Sequence, residues 1–239
     1  QQVRTDWDVF SNIKHDNNHL LNSWVIFRMG PDQPFTLYRL PAVLAGTGAV
    51  VLAGWQARAR GTVEALLALL LTGWSFILVH YSSEARGYAY LLFFTMLAYT
   101  AQARFDRTLS WQSALTFSLA CVGGFLAQFA FAFPYVAFAV WQFWSLCSDW
   151  STRRFWRTAA VHVPTMALLG MLYIVNRFDV GGADVIPTLD VIRMTLSLAL
   201  GGPEEGTGSW LAAGVAALLL LGGLVWLWRT DRREAVFFA

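Results

Sequence analysis

Seven apolar runs of 16 to 20 residues, separated by short polar turns, recur along this chain: Leu37–Trp55, Val63–His80, Tyr88–Ala103, Trp111–Ala130, Phe131–Cys147, Thr158–Val175 and Trp210–Trp228. A helix needs about 20 apolar residues to cross ~30 Å of hydrocarbon, and each run approaches that length. Inside lipid a lone segment satisfies its backbone only as a helix. The pattern therefore predicts an all-α integral membrane protein with about seven transmembrane helices plus interfacial helices. The fourth and fifth runs abut at Phe131-Ala132-Phe133-Pro134, where Pro134, lacking an N–H, favours a break. A single kinked helix there would reverse the orientation of everything downstream.

The flanking segments have a different pattern. Residues Gln1 to Asn18 are polar and read as extramembrane. His19–Met29 (HLLNSWVIFRM) alternates apolar and polar residues at helical spacing, which predicts an interfacial helix, and Gly30-Pro31-Asp32-Gln33-Pro34 reads as a loop. Asp190–Leu200 has the same helical spacing and is expected to lie on the membrane surface, with Gly201–Gly206 as a flexible turn after it. The organisation expected is one transmembrane domain over residues 1–239. Residues 1–36 form an outer loop with the interfacial helix, residues 37–228 the seven-span bundle with an outer loop at 177–209, and residues 229–239 a cytoplasmic tail. The chain starts at Gln and has no signal-peptide apolar core, so it reads as a piece of a longer protein.

Composition agrees with the pattern: 56% hydrophobic, 13% charged, mean hydropathy +0.48. A net charge of +2, with no basic run interleaved with aromatics, excludes a nucleic-acid partner. The positions of the arginines fix the orientation. Arg58 and Arg60, Arg104 and Arg107, Arg153, Arg154 and Arg157, and Arg229, Arg232 and Arg233 all fall on one side if there are seven spans. The positive-inside rule makes that side cytoplasmic. Tyr81–Gly87, the turn near Pro134 and Arg177–Ser209 then lie outside. Cys121 and Cys147 sit inside apolar runs without metal-ligand spacing and read as packing residues.

The polar clusters that could do chemistry all fall on the outer side. Tyr81-Ser82-Ser83-Glu84-Ala85-Arg86-Gly87-Tyr88 places a carboxylate and a guanidinium between two apolar runs, where charge is costly to keep. They read either as an ion pair fixing a turn, with the tyrosines as interfacial anchors, or as a working site. Asp16 or Asn17 could cap the helix starting near His19. Asp6-Trp7-Asp8 has the paired-carboxylate spacing that can hold a divalent cation, the one cofactor these residues admit. Asp184, Asp190 and Arg193 make a thinner third cluster, while His80 and His162 read as packed or interfacial residues.

The string YSSEARGYAYLLFFTMLAY resembles the S-x-E-A-R-G-Y-A segment and following span of bacterial membrane glycosyltransferases. These are similar to the dolichyl-phosphate-mannose–protein mannosyltransferase family (glycosyltransferase family 39) and its aminoarabinose-transferase relatives. Asp16-x-x-His19-Leu20-Leu21-Asn22-Ser23 resembles that family's D-x-H-P-P-L-Y-Y stretch, with Leu20-Leu21 in place of Pro-Pro. Phe35-x-x-Tyr38-Arg39-Leu40-Pro41-Ala42-Val43-Leu44-Ala45-Gly46 resembles F-A-L-R-L-P-S-x-L-x-G. The three motifs occur in family order over roughly residues 16 to 100.

The resemblance implies a C-type (GT-C-like) glycosyltransferase fold. It implies an enzyme of a bacterial plasma membrane that passes a sugar from a polyprenyl-phosphate donor to a protein, lipid or glycan acceptor outside the cytoplasm. Asp16 and Glu84 become the catalytic candidates, and His19, Arg86 and Tyr88 the substrate-binding ones. Guanidinium geometry suits a leaving phosphate, and a carboxylate can take a proton from an attacking hydroxyl. The family's Asp-Glu pair would fall at or before residue 1, so the main base is expected upstream of Gln1. The alternatives are a transporter or lipid flippase, or a non-catalytic membrane subunit. Transport predicts ionisable groups deep in several spans, and the centres of these runs hold almost none.

Overall fold

A computed structural model describes residues 3–11, 19–176 and 188–238, and every regular element in those stretches is a helix. The elements are α1 (Asp6–Ser11), α2 (Leu20–Met29), α3 (Phe35–Ala57), α4 (Thr62–Trp74), α5 (Phe76–Ser83), α6 (Tyr88–Thr108) and α7 (Trp111–Ala127). After a short turn at Phe129–Phe131 come α8 (Ala132–Ser148), α9 (Thr152–Asn176), α10 (Leu189–Ala199), α11 (Gly206–Thr230) and α12 (Arg232–Phe238). The two segments predicted as interfacial helices are helical, as α2 and α10. On α10, Leu189, Val191 and Ile192 are exposed, as a surface-lying apolar face requires.

Four stretches are long and apolar enough to cross a membrane: α3, Phe129–Ser148, Thr152–Val175 within α9, and α11. The pair α4–α5 makes a fifth if counted as one span. These helices mark the chain as an integral membrane protein. Helices α6 and α7, expected as the third and fourth spans, are not among them. Helix α7 has only 17 residues, and α6 carries Gln102, Arg104, Asp106 and Arg107 in its second half. Helix α6 lies at the centre of the bundle against α3, α7 and α8, while α7 packs one face on α6 and α9 and leaves Trp111, Leu115 and Leu119 of the other exposed. A helix surrounded by protein is released from the lipid's demand for length and apolarity.

Two breaks differ from the predicted boundaries. The run Val63–His80 is not one helix: α4 and α5 meet at a 57° bend. Ser75 is extended (φ −59°, ψ 117°) and buried, with Gly73 just before it. Thr72 Oγ1 also bonds back to the Ala68 carbonyl at 2.5 Å, and such side-chain competition with Gly and Ser nearby is a common cause of kinks. Between α7 and α8 the chain breaks as expected, but at Gln128 rather than Pro134. Pro134 stands in the first turn of α8, where its missing N–H would have had no helical partner anyway.

The core is aromatic on α6, α7 and α8, with Tyr99, Phe105, Phe117, Phe125, Phe138 and Trp141 packed together. Helix α3 approaches through Ala42, Ala45, Gly46 and Ala49, small residues that let membrane helices come close. The periphery is reversed. Leu66, Leu67, Leu70 and Leu71 of α4 and Leu218–Leu221 of α11 are exposed, an arrangement suited to lipid rather than water.

The arginine-bearing connections share one end. Arg60 pairs with Glu234 at 2.5 Å, Arg154 with Asp106 at 2.8 Å and with Asp149 at 3.0 Å, and Arg233 with Asp106 at 3.5 Å. Arg157 donates to the Leu109 carbonyl. Within the segment read as a cytoplasmic tail, Arg232–Phe238 form α12. Its Phe237 stacks on Phe138 at 4.6 Å, and Glu234 is buried with Tyr99 as a second donor. Of the cysteines, Cys121 is buried as predicted and Cys147 is exposed; both are free thiols.

Candidate functional site

The site is built at the other end of α6. Helix α5 stops at Ser83, Glu84 is extended (φ −91°, ψ 143°), and a tight turn closes with Arg86 N–H donating to the Glu84 carbonyl at 2.9 Å. Gly87 then opens α6. A Cβ at position 87 would lie 2.6 Å from His19 Nδ1 and closer still to the Ala127 carbonyl oxygen. Glycine is required here by close approach rather than by dihedral angle, since its φ is −74°.

Three sequence segments meet across this turn. Asn22 of α2 is buried and donates from Nδ2 to the Ala85 carbonyl at 2.7 Å. His19 packs edge-on against Tyr88, ring centroids 5.0 Å apart, and Tyr88 stacks on Tyr81 at 4.4 Å. Gly46 of α3 leaves just enough room for Ser82, since any Cβ there would overlap the serine hydroxyl. Each motif singled out in the sequence thus contributes contacts here.

The charged groups are loosely held. Glu84 lies between His80 (Nε2–Oε1, 3.4 Å) and Arg86 (Nε–Oε2, 3.7 Å). Its Oε2 is buried without a hydrogen-bond partner. The Arg86 side chain is 58% exposed, and Glu84 is its only partner among the described residues, leaving the outer guanidinium nitrogens open. That is a geometry able to receive an oxyanion in a paired fashion.

His19 has a defined protonation. Its Nδ1 lies 3.3 Å from the Ala127 carbonyl oxygen, which can only accept, so Nδ1 carries the proton. Burial lowers its pKa below the ordinary imidazole value, the bond to Ala127 offsets part of this, and the Arg86 charge lowers it further. The ring is therefore neutral at pH 7, with Nε2 as an acceptor. Such a nitrogen suits a hydroxyl better than a phosphate.

The other sequence candidates are placed elsewhere or not at all. Asp6 accepts from Trp24 Nε1 at 2.9 Å and pairs with Arg28 at 2.8 Å, tying α1 to α2. Asp8 accepts the backbone N–H groups of Arg4 and Thr5 at 2.9 and 2.8 Å, which hold its carboxyl below the usual range. The two carboxylates face different partners. Among the described residues no group of three or more His, Cys, Asp or Glu side chains could hold a metal. Asp16, His15 and Asp184 lie outside the described residues. Arg193 ties α10 to α11, reaching the Glu204 carbonyl at 2.8 Å, Ser209 and the face of Trp210.

Sequence reasoning quoted Asn22 within a motif without giving it a role, and passed over Ala127 and Gln128. Gln128 Oε1 and the Tyr90 hydroxyl are buried without partners beside this wall. A lone Gln inside the run Ala127–Phe131 was the available signal for the first, and a polar residue at a buried position of α2 for Asn22. No protein-family model, no curated protein and no solved structure matches this chain.

Proposed function

We propose that this chain is a membrane glycosyltransferase of the polyprenyl-phosphate-dependent C type, with its site at the Glu84–Arg86 turn. The observation that carries the reading is convergence. His19 and Asn22, Gly46, and Glu84–Tyr88 are far apart in sequence yet pack around one turn and the helix end before it, and these are the segments in which the family resemblance lies. In this reading Arg86 holds the donor phosphate and Glu84 orients it. Tyr88 braces His19, whose Nε2 receives the acceptor hydroxyl, and Asp16 is the nearest candidate base in sequence. Helix α6 completes a seven-span bundle as its inner member, and α7 as a shorter span with one exposed apolar face. The arginine-rich end faces the cytoplasm of a bacterial plasma membrane and the Glu84–Arg86 end faces outward.

The test is sugar transfer from a polyprenyl-phosphate donor by protein reconstituted in liposomes. Arg86→Ala should lower turnover by about 100-fold and Arg86→Lys by less, because lysine keeps the charge and loses the fork. Normal turnover by correctly inserted Arg86→Ala protein refutes the assignment.

One observation favours a second reading, lipid or solute translocation. Tyr135 and His162 are bonded at 2.6 Å, His162 and Gln142 at 2.8 Å, and Gln142 and Gln102 at 2.6 Å, forming a polar chain in the bundle interior. Reporter-lipid scrambling that depends on His162 and proceeds without sugar transfer would select that reading instead.

A further inference from the structure

The arginine-rich end, remote from Arg86 along α6, contains an open pocket of about 730 Å³. Its wall carries four arginines (Arg107, Arg154, Arg232, Arg233) and four carboxylates (Asp106, Asp149, Asp231, Glu234), so it is formally neutral. The two signs differ in what they have left to bond. Every carboxylate is already engaged. Asp106 takes Arg154 and Arg233, Asp149 takes Arg154, and Glu234 takes Arg60 and Tyr99. Asp231 accepts the backbone N–H groups of Arg233 and Glu234.

What remains is a surplus of donors. Trp141 is 2% exposed and Arg154 6%, yet the Nε1 of the first and the Nε of the second have no acceptor. Arg107 is exposed and has no partner among the described residues. Indole and guanidinium N–H groups can only donate, and a buried orphan donor is costly, so the missing component is an acceptor. The pocket's position narrows the choice. Trp144 lines it beside Trp141, and Trp226 lines the adjoining pocket that shares Arg107 and Glu234. Indoles beside arginines at the end of a spanning bundle mark headgroup depth. Because the wall's charges cancel, it suits one phosphate rather than a polyphosphate.

We propose that this pocket binds a single phosphate group, from a phospholipid headgroup or from a small soluble phosphate. Arg107 is its outer donor, with Arg154 and Trp141 behind. The site is independent of the glycosyltransferase reading.

Thermal unfolding of the purified full chain in detergent, titrated with two ligands, tests this. One arm compares phosphatidylglycerol with a diacylglycerol of the same chains; the other compares inorganic phosphate with chloride at matched ionic strength. A saturable rise in Tm is expected from a phosphate-bearing ligand and none from its control. A rise with the phospholipid alone assigns the site to a lipid headgroup, and a rise with inorganic phosphate assigns it to a soluble ligand. Arg107→Ala should weaken the apparent affinity about tenfold, the loss expected for one charge-assisted hydrogen bond. Arg107→Lys should retain part of it. Trp141→Phe keeps the ring against Tyr99 and Phe237 and removes only the N–H, so it should weaken binding several-fold. No rise in either arm, or unchanged affinity in Arg107→Ala protein, overturns the proposal.

Discussion

Gly87→Ala is the sharpest perturbation of the site's architecture. The added methyl would lie 2.6 Å from His19 Nδ1 and closer still to the Ala127 carbonyl, where ordinary contacts begin at 3.4 Å. One of these neighbours is backbone at the end of α7, so a rotamer change cannot absorb the overlap. Overpacking of this kind costs about 1–3 kcal/mol. Separating His19 from Ala127 loses a hydrogen bond worth about 1 kcal/mol more. Against this, alanine restricts the unfolded chain, a gain of about 0.4–1 kcal/mol where the native φ is compatible, as −74° is here. The net expectation is destabilisation by about 1–3 kcal/mol, measured by denaturant titration of the purified protein in detergent. Gly170→Ala is the control. Nothing lies within 4 Å of its Cβ, and it sits inside α9, so it should stabilise by about 0.5–1 kcal/mol. Gly87→Ala protein as stable as the parent would refute the close approach of α2, α6 and the end of α7.

Three further outcomes follow from the same geometry. Replacing Glu234 by Ala strands Arg60 and the Tyr99 hydroxyl; with Glu234 10% and Arg60 33% exposed, the loss should fall near the lower end of the buried-pair range, about 3 kcal/mol. Equal denaturation midpoints for Glu234→Ala and parent would show that α12 is not docked as described. Because the folded-state pKa of His19 is depressed, its contribution to stability is complete above the unfolded value of about 6.5 and is lost as pH falls below it. Plots of Tm against pH for parent and His19→Gln protein should therefore diverge between neutral pH and pH 5, and parallel curves would contradict the buried, neutral ring. Finally, maleimide should label Cys147 in the native protein while Cys121 stays unmodified until unfolding; labelling of both would place Cys121 outside the core.

Much of this fold is legible in the sequence because lipid imposes a simple rule on each segment separately. The apolar runs appear as helices, the spacing in His19–Met29 and Asp190–Leu200 gives α2 and α10, and the arginine-bearing turns do gather at one end. The misplacements have local causes. Ser75 breaks a run whose hydropathy is unbroken, because a bend depends on backbone hydrogen bonds and not on apolarity. Pro134 marked the right junction and the wrong residue, since a helix accepts proline in its first turn. The terminal residues 229–239 read as a tail because a strip of arginines resembles a solvated end. The docking of α12 depends on Asp106, which takes Arg233, and on Arg60, which takes Glu234, partners far away in the chain.

The candidate site divides in the same way. Glu84, Arg86 and His19 stand out in the sequence because charge and imidazole are conspicuous at the edge of apolar runs. Ala127 does not, since a backbone carbonyl carries no compositional signal, and Asn22 and Gly46 appear only as members of longer motifs. The sequence by itself determined that the chain crosses a membrane, which end carries the arginines, and which turn holds charge at the other. Only the tertiary structure decided that His19 is neutral, that Gly87 must stay small, and that the acids of the arginine-rich end are used up while its donors are not. Membrane insertion responds to each segment's own transfer energy. Protonation, close packing and hydrogen-bond balance respond to neighbours that the folded chain alone brings together.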